Sequence, residues 1–252
     1  MKLIFLGVSS ALAVGKDTFQ SNMLIESESG KKMLIDCGSD IRHSLLAQHF
    51  HHTDIHAVYI SHLHSDHTGG LEWLGFCKRF INGEKPTLYI SHDQCEKLWN
   101  NVLSGGMSSL EDEQATLASY FEVQEIIDNQ FVWENYSFEL VKTEHSISNG
   151  ACLPCYGLFI TCKSQKIFIT TDTRFCPKLL QPFYDKADII FHDCEISGRV
   201  SGQHAQYTDL KTLDKKIKQK IWLYDYSDQE LPNAKKDGFQ GFVVQGQRFS
   251  FK

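Results

Sequence analysis

No Pro/Gly/Ser-rich linker, low-complexity segment or short-period repeat interrupts the 252 residues. A string of tethered modules is therefore excluded, and the length fits two small domains or one large α/β unit. The opening run Met1-Lys2-Leu3-Ile4-Phe5-Leu6-Gly7 is too short to span a bilayer and has no signal-peptide cleavage pattern, so it reads as a first strand. Without a targeting segment, the eight cysteines are expected to be reduced thiols of a cytoplasmic protein. Cys152-Leu153-Pro154-Cys155 has CxxC spacing, but no second CxxC accompanies it. Structural thiols near a turn are therefore favoured over a redox or zinc pair. Basic charge is not in excess either. A formal net charge of −6 argues against an extended nucleic-acid footprint.

What is present is an ordinary 42% hydrophobic content, enough for a real core, and one dense motif. In Tyr59-Ile60-Ser61-His62-Leu63-His64-Ser65-Asp66-His67-Thr68-Gly69-Gly70, four ligand-type residues crowd into six positions. The apolar run Ala57–Ile60 before them reads as a buried strand, and Gly69-Gly70 with Leu71 and Leu74 reads as a turn into a helix. In extended chain, alternate side chains share a face, so His62 and His64 can meet one metal ion. Asp66 and His67, on the following turn, can point at a second. Imidazole and carboxylate suit zinc, manganese or iron. The alternative is a surface loop that is merely rich in histidine, and the density of the motif weighs against it.

Along the chain, strands are expected at residues 2–6, 22–26, 32–36, 54–60 and 87–91, with turn residues Ser29-Gly30 inside the first group. Ser39 is placed to cap a helix carrying Ile41, Leu45, Leu46 and Phe50. Further helices are expected from Gly70 to about Phe80 and near residues 93–103. Ser104-Gly105-Gly106-Met107-Ser108-Ser109, flanked by Glu111, Asp112 and Glu113, reads as either a plain surface loop or a lid. Strands return at 123–127, 131–133, 137–142, 156–162 and 166–170. The apolar run Ala187–Phe191 follows, then a helix over 208–218 with a solvated lysine face, then a strand at 220–224. Alternating strands and helices imply sheets covered by helices. His145, Asp172, Asp193, His204 and Asp225 each stand after such a segment, where loops gather at a sheet edge. Singly each would read as a satisfied hydrogen-bonding residue; together with the first motif, a shared site explains their placement better.

His62-Leu63-His64-Ser65-Asp66-His67 resembles the HxHxDH signature of the metallo-β-lactamase superfamily. The resemblance implies a single domain over residues 1–252 with an α/β, four-layer αββα sandwich fold. It also implies two divalent metal ions, zinc first and manganese as the alternative. His62, His64 and His145 would hold one ion, Asp66, His67 and the last ligand position the other, and Asp172 would bridge them. Within the superfamily the chain is similar to the ribonuclease Z-like phosphodiesterases. Ala187-Asp188-Ile189-Ile190-Phe191-His192-Asp193 looks like their strand ending in His-Glu, with Asp193 at the glutamate, and His204 matches the histidine that works with that carboxylate near the leaving oxygen. Asp66 would orient the attacking water.

Two departures are informative. The last ligand position, usually histidine, is Asp225 in Trp222-Leu223-Tyr224-Asp225-Tyr226, so the second metal site is expected to be the weaker. Only 26 residues lie between His145 and Asp172, nearly all needed for two strands. That leaves no room for the arm with which bacterial ribonuclease Z grips transfer RNA. The armless members that this chain resembles are cyclic-nucleotide phosphodiesterases of the phage anti-Pycsar type, on Phe19–Leu24, Leu103–Gly106 and Phe168–Asp172. The expected substrate is accordingly a small phosphodiester, a cyclic nucleotide cut to a linear monophosphate, in the cytoplasm of a bacterial cell and by a phage-encoded or bacterial protein. Family habit adds a homodimer, with the Leu103–Met107 loop as a contact. The competing functions are RNA endonuclease, lactone, lactam or thioester hydrolase, and a non-catalytic binding protein in which Asp225 has spoiled the second site.

Overall fold

The fold is given by a computed structural model, which describes every residue except Lys16, Asp17, Asp112 and Arg199. The acidic flank residue Asp112 thus lies outside the described residues. Two compact units emerge. The first comprises Met1–Gly7, Phe19–Asp128 and Arg248–Ser250; the second comprises Val8–Thr18, Asn129–Gln247 and Phe251–Lys252.

The first unit is built on β1 (Lys2–Phe5), β2 (Met23–Glu26), β3 (Lys32–Ile35), β4 (Ile55–Ile60), β5 (Thr87–Ser91) and β6 (Glu122–Ile126), joined at the β1 edge by the strand Arg248–Ser250. Pairing is antiparallel from that edge strand through β3, then parallel from β3 to β6. The β2–β3 hairpin turns at Gly30, whose φ of 87° lies in the region that glycine enters without a Cβ clash. Leu24, Leu34, Val58, Ile60, Leu88 and Ile90 are solvent-free and pack against Ile41, Leu45, Leu71, Leu74 and Leu98 from the helices. Each such side chain contributes about 1.5–3 kcal/mol on full burial.

The second unit holds β7 (Gln130–Trp133), β8 (Tyr136–Lys142), the short pair β9 (Ile147–Ser148) and β10 (Ala151–Cys152), then β11 (Tyr156–Cys162), β12 (Gln165–Ile169), β13 (Ile189–Asp193), β14 (Ile221–Tyr224) and β15 (Gly241–Phe242). Its large sheet runs β15-β14-β13-β12-β11-β8-β7, antiparallel from β7 to β12 and parallel from β12 to β15. A parallel half makes consecutive strands end on the same edge, and in such sheets ligands gather beyond the carboxyl ends.

Several expectations shift. Asp40, not Ser39, stands at the N-cap of the helix Ile41–Ala47, and Ser39 Oγ instead donates to Gln20 Oε1 at 3.1 Å. Leu46, expected on the apolar face, is 58% exposed. Residues 104–107 are not an open loop: Ser104–Met107 is a helical turn continuing the preceding helix, and Met107 is fully buried. Its carbonyl accepts the Tyr120 hydroxyl at 2.6 Å. Leu103 and Met107 are engaged in the core of their own unit, whereas Gly105 and Gly106 between them are exposed. The helix expected over 208–218 is two short ones, Tyr207–Leu210 and Lys215–Lys218, because Asp214 caps a new start by accepting the Lys216 amide. The helix Pro177–Lys186 escaped sequence reading, since Pro182 in its middle masks the Leu180/Tyr184 stripe that the helix buries. Among the described residues no helix is long and apolar enough to cross a membrane.

Candidate metal centre

In the first unit, Asp36 stands one residue beyond β3 with φ 64°, a left-handed conformation unusual for a residue with a side chain. Its buried carboxylate is fully used. Oδ1 accepts the Ser61 amide at 2.8 Å, and Oδ2 accepts the Ser61 hydroxyl at 2.7 Å and the His67 Nδ1–H at 2.8 Å. A carboxylate only accepts, so His67 carries a proton on Nδ1 and directs Nε2 toward Asp66, whose Oδ2 lies at 3.1 Å. The His62 and His64 rings meet through Nε2 and Nδ1 at 3.0 Å. The four residues of the motif are thus brought together, and Asp36 orients His67 from behind. The sequence did show Asp36 at the end of an apolar run, but nothing in the spacing tied it to a histidine 31 positions later. We expect Asp36→Asn to lower metal affinity roughly 10–100-fold, the usual effect of an outer-sphere partner, checked by chelator competition.

Asn22, also buried, donates to the Asp66 carbonyl at 3.2 Å and accepts the Gly38 amide at 2.7 Å. A Cβ on Gly38 would lie 2.0 Å from the Asp66 carbonyl oxygen. Gly38→Ala must displace the Asp66 turn, so we expect a loss of about 1–3 kcal/mol in unfolding free energy together with weakened metal binding. An unchanged denaturation midpoint would contradict that close approach.

In the second unit, Asp172, Asp193 and Asp225 stand at the carboxyl ends of consecutive parallel strands β12, β13 and β14. They are 3%, 0% and 2% exposed, so three carboxylates are taken out of water side by side. Thr171 and Asp225 hold φ 50° and 65° at these ends. His145 follows β8, donates through Nδ1 to the Gln203 carbonyl at 3.0 Å, and brings Nε2 to 3.5 Å from Asp172 Oδ2. His204 Nδ1 lies 2.9 Å from Asp193 Oδ2 and 3.3 Å from Asp225 Oδ2. Asp193 Oδ2 also accepts the Thr173 amide at 2.8 Å. Donor atoms of His145, Asp172 and His204 lie within 4.8 Å of one another, as do those of Asp193, His204 and Asp225. Cys155 is a structural thiol here, its Sγ donating to the Asp172 carbonyl at 3.3 Å; all eight cysteines are free.

Burial lowers the His204 imidazole, but Asp193, Asp172 and Asp225 outweigh it and push it up to about 11. Burial raises Asp193 to about 6 against the opposing charge of His204. His204 is thus held as an imidazolium by carboxylates. Behind it, fully buried His192 is pushed down to about 4 by burial; it accepts the Tyr184 hydroxyl at 2.7 Å and donates to the Asp193 carbonyl at 2.7 Å. In the unfolded chain it would take a proton near its ordinary value of about 6.5. Stability from neutral His192 is therefore complete above about pH 6.5 and drains as pH falls toward 4, on the order of 3 kcal/mol in all. Urea denaturation should show that slope, flattened in His192→Asn.

Three buried carboxylates facing two imidazoles carry an excess of negative charge that the interior does not favour. Carboxylate and imidazole donors a few ångströms apart are what zinc or manganese ions take, so the donor set fits divalent metal.

A family model for the anti-Pycsar protein Apyc1 matches residues 1–249. The chain belongs to that family. It is 32% identical to an anti-Pycsar protein Apyc1 of Paenibacillus harenae over 231 residues, covering 90% of each chain. It is 29% identical to one from Bacillus phage vB_BveM-Goe7, covering 97% of this chain and 96% of that one. Among solved structures, the metallo-β-lactamase fold protein YhfI of Bacillus subtilis matches with a TM-score of 0.77 at 19% identity over 98% of both chains. The fold is therefore the mixed α/β metallo-β-lactamase fold with two large sheets, and the family members span the same length as this chain.

Proposed function

We propose that the protein is a metal-dependent phosphodiesterase that hydrolyses a cyclic nucleotide to its linear monophosphate. The observation that carries this reading is His204 clasped by Asp193 beside the buried Asp172 and Asp225, a proton donor set among metal-binding carboxylates. Family membership supports this reading, since the relatives are named as anti-Pycsar proteins. His62, His64 and His145 are proposed to hold one ion, Asp66, His67 and Asp225 the second, and Asp172 to bridge them within one domain spanning residues 1–252. Zinc is the proposed metal, manganese the alternative.

Bound divalent ions supply Lewis acidity, acidifying a water and neutralising the charge that develops on the phosphate. Asp66 accepts a hydrogen bond from the attacking water and aims it. His204 gives its proton to the departing ribose oxygen, and Asp193 holds the ring for that transfer. Cations held by Asp172 and Asp225 would leave Asp193 as the carboxylate that holds the His204 ring. Asp225 serves two partners in this scheme. Asp225→His should raise occupancy of the second ion while removing one carboxylate from His204. Metal content and turnover measured together test this, and unchanged values in both would refute it.

We place the protein in the bacterial cytoplasm as a homodimer. Light scattering at micromolar concentration tests the dimer, and a monomer there ends that proposal.

A further inference from the structure

Glu195 lies two residues beyond β13 and forms an isolated parallel bridge with Gln206. Two backbone bonds close the neck: the Glu195 amide donates to the Ala205 carbonyl at 2.8 Å, and the Tyr207 amide donates to the Glu195 carbonyl at 2.9 Å. The Glu195 carboxylate sits inside the loop so formed. It accepts the Ser197 hydroxyl at 2.8 Å, the Ser201 amide at 3.1 and 3.2 Å, the Ser201 hydroxyl at 2.9 Å, and the Gln206 side-chain amide. The Ser201 hydroxyl in turn accepts the Gln203 amide at 3.1 Å. The Gln203 carbonyl receives the Nδ1–H of His145, and the next residue is His204, bound to Asp193. On the other side, Arg174 Nε donates to the Gly202 carbonyl, and the Arg174 amide to the Glu144 carbonyl.

We infer that Glu195 is a positioning residue that sets a metal ligand and the proton donor at once, through the chain Glu195–Ser201–Gln203–His145 and the adjoining His204. The inference rests on the phosphodiesterase reading for the role of His204, but not for the orientation of His145. The physical reason is geometric. His145 presents Nε2 to a cation only while Nδ1–H has a fixed acceptor, and that acceptor is a loop carbonyl with no sheet partner. Where no ladder pairs the backbone, side-chain hydrogen bonds can hold it in place. One carboxylate with five hydrogen bonds from three side chains and a backbone amide does so. Hydrogen bonds to a charged group are about twice as strong as neutral ones, which suits a single residue to the task.

The test uses the purified, metal-loaded protein with Glu195→Ala, Glu195→Gln and Ser201→Ala. Zinc affinity, read by chelator competition without any substrate, should fall about 10–100-fold in Glu195→Ala, as for other outer-sphere partners. Turnover should fall more for a cyclic nucleotide than for bis-p-nitrophenyl phosphate, whose leaving group departs without a proton. Glu195→Gln, which keeps one oxygen acceptor, should lie between Glu195→Ala and the unaltered protein. If Glu195→Ala does not fold, Ser201→Ala breaks the same chain at a milder point and carries the test. Zinc affinity within twofold of the unaltered protein in the folded variants, or equal losses on both substrates, would overturn the inference. Absence of turnover by the unaltered protein would sink the proposed function instead, and the affinity measurement would still decide whether Glu195 sets His145.

Discussion

His204→Ala should lower turnover of a cyclic nucleotide by roughly 10²–10⁴-fold, the range for a general acid, with metal content unchanged. The reason lies in how the residue is held. Its Nδ1 is shared between Asp193 at 2.9 Å and Asp225 at 3.3 Å, so the ring is fixed by one nitrogen and has the other to offer a proton. The ribose alkoxide is a poor leaving group and needs that proton. p-Nitrophenolate does not, so the defect should shrink sharply on bis-p-nitrophenyl phosphate. Asp193→Asn should follow the same pattern with a smaller loss, because the amide still accepts a hydrogen bond from Nδ1 but no longer balances the charge. Equal losses on both substrates would make His204 a binding residue, and loss of metal would make it a ligand.

Asp172→Ala should be the more damaging change, and in a different way. Asp172 is 3% exposed, lies 3.5 Å from His145 Nε2, and has its backbone pinned by Thr143 and Cys155. Asp172 is proposed to touch both ions, so its removal should cost metal and activity together. The loss should exceed the roughly 10–100-fold expected for Asp36, which acts through His67 and Ser61. Elemental analysis should show fewer than two ions per chain, and added zinc should fail to restore full turnover on either substrate. Two retained ions with normal affinity would remove Asp172 from the ligand set.

The strands were largely legible because period-two patterning and apolar runs depend only on neighbours. The β4 motif was legible for the same reason: its four ligand-type residues come from one turn of chain. The placement of Asp172, Asp193 and Asp225 at strand ends could be read because parallel strands repeat one pattern, an apolar run followed by a polar residue. Asp36 and Glu195 could not, since each acts through residues brought near only by folding, and a carboxylate at a strand end looks the same whether it holds a histidine or faces water. The 104–107 stretch misled because two adjacent glycines resemble an open loop, whereas Met107 anchors that turn in the core. The helix at 177–186 was hidden by Pro182, which is accommodated where packing of Leu180 and Tyr184 outweighs one lost hydrogen bond.

The central claim is that this metal-binding site cuts cyclic nucleotides. Its most direct measurement is turnover of a panel of cyclic nucleotides, a small structured RNA and a simple lactone by one preparation of known metal content. The account predicts two divalent ions per chain and conversion of at least one cyclic nucleotide to its linear monophosphate, abolished by chelation and restored by zinc or manganese. A metal-loaded protein that leaves every cyclic nucleotide intact while cleaving the RNA or the lactone would contradict it.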